Sequence, residues 1–84
     1  MKILKFYSDT CVPCKELSKT LETVKDQITN VDVFDGIDLA ILHGVRKVPV
    51  TIFLDDQDNE FARLVGTYTL DTFEKTKNSQ NGII

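Results

Sequence analysis

Apolar and polar positions change their spacing several times along this chain, and each change marks an element. Residues 2–7 (Lys2-Ile3-Leu4-Lys5-Phe6-Tyr7) are rich in Ile, Leu, Phe and Tyr, the pattern of a strand covered on both faces. Ser8, Asp9 and Thr10 follow as a polar loop. From Pro13 to about Gln27, Leu17, Leu21, Val24 and Ile28 recur at i, i+4, i+7 and i+11, with charged residues on the other faces. That spacing predicts an amphipathic helix. Pro13 suits its first turn, because the N–H that proline lacks has no intrahelical partner there. Residues 31–35 read as a second strand ended by Gly36, and residues 37–42 as a short helix stopped by Gly44. Residues 48–54 are strongly β-prone. The polar cluster 55–59 predicts a turn into a strand over 61–65, giving an antiparallel hairpin. A last helix spans residues 70–77, capped by Thr69 or Asp71, and residues 78–84 read as a frayed tail.

The order is β-α-β-α-β-β-α, an α/β fold with a four-stranded mixed sheet flanked by three helices. Helical crossovers predict that the first three strands run parallel with right-handed connections, and that the fourth is antiparallel to the third. With 84 residues the chain makes one domain, 1–84, burying roughly 60–65% of the surface its unfolded form exposes.

A formal charge of −3 gives no basic face for nucleic acid or an anionic membrane. No apolar run approaches the ~20 residues that cross a bilayer. The opening residues are too short for a secretory core, and Lys5 interrupts them. The expected compartment is therefore the cytoplasm, where a close cysteine pair is catalytic, redox-sensing or metal-binding more often than structural.

That pair is Cys11-Val12-Pro13-Cys14, placed between the first strand and the first helix. Two thiols at this spacing can close a disulfide ring without moving the rest of the chain. The first also faces the unpaired N–H groups and positive end of a helix, which favours the attacking thiolate. The pattern points to dithiol–disulfide exchange. A zinc half-site is the competing reading, but tetrahedral zinc takes about four ligands and His43 is the only histidine beside the two cysteines. No metal and no cofactor beyond the cysteine pair itself is expected.

Three segments now stand together: Phe6-Tyr7-x-x-x-Cys11-x-Pro13-Cys14-Lys15, Gly44-Val45-Arg46-Lys47-Val48-Pro49, and Val65-Gly66 before the last helix. In them, and in the element order, the chain resembles the thioredoxin superfamily in its short form, over nearly all of residues 2–77. The resemblance implies that Cys11 is the nucleophile and Cys14 the resolving thiol. It also implies that Pro49 follows a cis bond, that the backbone at Val48 pairs with a substrate strand, and that Gly66 lets a partner approach closely. Pro13, Lys15, Lys5 and Tyr7 are expected to modulate the site. Lys15 matches a lysine common in thioredoxins, and Tyr7 an aromatic position packed beside the active-site loop. His43 is expected at the surface or as a helix cap.

Four positions depart from the family pattern. Lys5 stands where thioredoxins carry a buried aspartate, so that proton relay does not carry over. Thr10 replaces the usual tryptophan before the first cysteine. Val12 replaces glycine inside the motif. The proline that kinks the active-site helix is absent near Lys19, which implies a straighter helix.

The first expectation is a monomeric protein-disulfide reductase and electron carrier, recycled by a thioredoxin-reductase-type donor, with ribonucleotide reductase as a plausible client. A glutaredoxin using glutathione is the alternative. Its usual Thr-Val-Pro is here Lys47-Val48-Pro49, and its Gly-Gly-x-x-Asp is incomplete at Gly66-Thr67-x-x-Leu70-Asp71. A non-catalytic binding module of the same fold is the third.

Overall fold

The computed structural model describes residues 1–81, and their order is β1 (Lys2–Tyr7), α1 (Val12–Thr20), a 3₁₀ segment (Glu22–Gln27), β2 (Thr29–Asp32), α2 (Ile37–Leu42), β3 (Val50–Leu54), β4 (Glu60–Val65), α3 (Leu70–Asn78) and a 3₁₀ turn (Ser79–Asn81). The strands form one mixed sheet in the order β2-β1-β3-β4. β1 and β3 lie in its middle, which is why both read as runs of buried residues rather than as alternating ones.

One expectation about the strands is corrected. β2 does run parallel to β1, but β3 is antiparallel to β1, with Phe6 opposite Val50 and Lys2 opposite Leu54. A parallel crossover must carry the chain back along the whole sheet. The six residues of α2 rise only about 9 Å, against about 20 Å for six residues of strand. The chain therefore enters β3 from the end at which β2 left off. β4 pairs antiparallel with β3 as expected.

The continuous helix expected over 13–27 is also corrected. α-Helical bonding ends with the Leu21 N–H on the Leu17 carbonyl (3.0 Å), and the Thr20 hydroxyl just before it donates to the Glu16 carbonyl (3.3 Å) and so competes for a helix acceptor. The tighter 3₁₀ bonding that follows still keeps Leu21 and Val24 buried, in line with Leu17. β2 lies two to three residues earlier than the sequence pattern put it. The Asp32 carboxylate accepts the Phe34 N–H (2.8 Å) and its carbonyl accepts the Gly36 N–H (2.7 Å), which turns the chain there. Gly36 packs so closely that a Cβ would lie 2.6 Å from Val31 Cγ1. At the other end, residues 78–81 are helical rather than frayed, and the remainder of the predicted tail lies outside the described residues.

Alternation along β1 and β3 divides the core in two. Leu4, Phe6, Val31, Ala40, Val50, Ile52 and Leu54 pack under α2. Ile3, Leu17, Leu21, Val24, Phe53 and Phe73 pack under α1 and α3. Thr69 caps α3, its hydroxyl accepting the Thr72 N–H at 3.2 Å.

Candidate active site

Because β3 runs against β1, the end of β1, the start of β3 and the end of β4 meet at one pole of the sheet. Phe6 faces Val50, and Val50 faces Val65. The loop from β1 to α1 delivers Cys11 to this pole, and the approach to β3 delivers Val48 and Pro49.

Cys11 is the N-cap of α1: its sulfur accepts the Cys14 N–H at 3.1 Å, while its own N–H donates to the Ser8 carbonyl at 3.2 Å. A sulfur held against an orphan N–H at a helix start has its anionic form favoured. The two cysteines are joined as a disulfide, with Cα atoms 5.2 Å apart. Cys14 is buried and Cys11 partly exposed, so an incoming molecule meets Cys11 first. Pro13 occupies the first turn of α1, and Val12 beside it is 62% exposed.

The Val48–Pro49 peptide bond is cis, and the Pro49 carbonyl accepts the Gly66 N–H at 2.9 Å. Gly66 has a φ of +84° with open space where a Cβ would stand, so the backbone conformation selects glycine there rather than crowding. Val48 is half-buried and lines an apolar groove of about 300 Å³ with Val33, Phe34, Ile37 and Val45, and with Arg46 and Lys47 at its edge. A second depression of about 450 Å³ lies on the other side of the loop, lined by Tyr7, Asp9, Cys14, Lys15, Ser18 and Lys19. Buried Ser8 lines both.

The remaining candidates fall into place around this pole. Tyr7 is half-buried beside Cys14, and Lys15 is an exposed residue at the rim of the same depression. Lys5 is 4% exposed and donates to Ser18 Oγ at 2.6 Å, and desolvation pushes its pKa below the usual lysine range. On the strand opposite, Thr51 bonds the Tyr68 hydroxyl at 2.7 Å, and burial pushes that phenol up. His43 caps α2 and packs on Phe6, with its carbonyl accepting from Arg63. Among the described residues, no three His, Cys, Asp or Glu side chains are gathered as metal ligands.

Sequence reasoning missed Ser8 and Ser18. Ser18 had a readable signal, since it lies four residues after Cys14 and therefore on the same helix face.

The thioredoxin family model matches residues 1–79, and the chain belongs to that family. It is 44% identical over 66 residues to the SPbeta prophage-derived thioredoxin-like protein YosR of Bacillus subtilis, a match covering 79% of this chain and 82% of that protein. Among solved structures it is similar to a mutant thioredoxin from Halobacterium salinarum, with a TM-score of 0.84, 28% identity, and 98% of this chain and 75% of that chain covered. It is similar also to thioredoxin 1 of Thermosipho africanus, with a TM-score of 0.81, 25% identity, and 99% and 97% covered. Family, fold and a cysteine pair able to close a disulfide support thiol–disulfide oxidoreductase chemistry in general. Among the described residues, no helix is long and apolar enough to cross a membrane.

Proposed function

We propose that the protein reduces disulfides in other proteins by dithiol exchange, as a monomeric electron carrier of the cytoplasm. The observation that carries this reading is the asymmetry of the pair: Cys11 sits partly exposed at a helix start with an N–H on its sulfur, while Cys14 lies buried one turn in.

In the reduced protein the Cys11 thiolate attacks one sulfur of a client disulfide. A Cys11–client bond forms, the client bond breaks, and the departing client sulfur takes the electron pair and a proton. Cys14 then loses its proton and attacks Cys11, closing the Cys11–Cys14 disulfide and releasing the second client thiol. The client gains two electrons and two protons. A dithiol donor of the thioredoxin-reductase type, or glutathione, restores the pair. The Val48 backbone and the open face at Gly66 receive the client chain as an added strand, with Pro49 shaping the loop between. Ribonucleotide reductase is one candidate client.

The test is reduction of insulin by dithiothreitol, followed as turbidity. Wild type accelerates it, and Cys11→Ser runs at the uncatalysed rate. Cys14→Ser accumulates trapped mixed disulfides. Activity retained in Cys11→Ser overturns the reading, and turnover that depends on glutathione moves the protein to the glutaredoxin class.

A further inference from the structure

A lysine removed from water normally sits against a carboxylate. Lys5 does not. Among the described residues no carboxylate forms an ion pair with it, and Glu22, in the cavity that Lys5 lines, is paired with Lys25 at 2.9 Å. Among the described residues the hydrogen-bond partner of its ammonium is Ser18 Oγ, and Ser18 lines both that cavity and the depression lined by Cys14. Ser18, itself an exposed residue, stands one helical turn after Cys14 on the same face of α1. A hydroxyl that accepts from an ammonium still has its own proton to donate.

We propose that Lys5 is a positioning residue for the second half of the exchange reaction: through Ser18, its buried ammonium favours the Cys14 thiolate that attacks Cys11. The inference rests on the exchange reading above and concerns only this step. The Cys14 proton leaves to solvent, its sulfur forms the bond to Cys11, the Cys11–client bond breaks, and the client sulfur departs as a thiolate. Lys5 keeps its protons throughout.

Other charged groups face the same region, and exposure ranks them below Lys5. Asp9, Lys15 and Lys19 edge the Cys14 depression from exposed positions, where water and salt screen them. Glu22 and Lys25 offset each other in the neighbouring cavity. Across the strand pair, Tyr68 is bonded to Thr51 and held neutral by burial.

The reduced protein, mixed with the aryl disulfide of thionitrobenzoate, releases one coloured thiol when Cys11 attacks and a second when Cys14 resolves the adduct. Lys5→Met is expected to leave the first phase unchanged and to raise the pH midpoint of the second by about one unit. Below that midpoint the second phase slows by about threefold, because a tenfold loss of thiolate is partly offset by the greater nucleophilicity of a more basic sulfur. Above both midpoints, where either sulfur is fully ionised, the order reverses and the variant is faster by about threefold. Lys5→Arg keeps the wild-type midpoint, and Ser18→Ala moves it the same way as Lys5→Met by a smaller amount. An unchanged midpoint in Lys5→Met, or in Ser18→Ala should Lys5→Met not fold, overturns the inference, as does a slowing equal at every pH. A wild-type protein that releases no thionitrobenzoate overturns the exchange reading and this inference with it.

Discussion

The two faces of the sheet carry covers of unequal thickness. On one, α1, its 3₁₀ extension and α3 close over Leu17, Phe53 and Phe73, each with no exposed surface. On the other lies α2 alone, six residues with only Ala40 buried, while Ile37, Ile41 and Leu42 stand 50%, 71% and 74% exposed. Under the thick cover two buried polar side chains reach partners nearer the surface: Lys5 donates to exposed Ser18, and Thr51 bonds half-buried Tyr68. At the thin cover the buried polar side chain is Ser8 at the edge of the groove, and the apolar residues of α2 face outward. Chemistry is kept under one face and apolar surface is presented on the other, with the cysteines between them.

Substitutions on the thick side should dominate stability. Phe73→Ala is expected to lose about 3–5 kcal/mol in urea unfolding. That is a large part of the roughly 4–13 kcal/mol available to a chain of 84 residues. Tyr68→Phe leaves the Thr51 hydroxyl without its partner, and about 1–3 kcal/mol should be lost. Lys5→Met should act in the opposite direction and raise stability at neutral pH, since an apolar chain of similar length removes the cost of burying a cation. The sign with pH is fixed by the lowered Lys5 value. Between it and the ordinary 10.5, the folded state holds fewer protons than the unfolded one, so wild-type stability rises with pH relative to the variant and the gain shrinks. A loss of stability in Lys5→Met would show that the lysine is part of the scaffold. Ile41→Ser, on the thin side, should change stability by no more than about 0.5 kcal/mol. A larger loss there would mean that the two covers contribute more evenly than their burial suggests.

How far the sequence could be read follows the same division. β1, α2, the β3–β4 hairpin and the Thr69 cap were legible because each depends on local pattern or a capping side chain. The direction of β3 was not, because apolar spacing is the same whichever way a strand runs. Only the length of α2 against the length of a strand decides it. The break after Thr20 was hidden for a similar reason: Leu21, Val24 and Ile28 stay on the inner side in either kind of helix. Within the site, the cysteine pair was legible from spacing alone. The bond from Lys5 to Ser18 was not, since a strand residue and a helix serine meet only once the sheet is built.

The reversal of β3 also fixes what occupies the opposite pole. The turn between β3 and β4 lies there, where Asp56 takes the amino group of Met1 at 2.8 Å. A dye or a surface linker attached at Gln57 would therefore stand a full strand length from the sulfurs, and immobilised protein would hold its reactive end toward the solution.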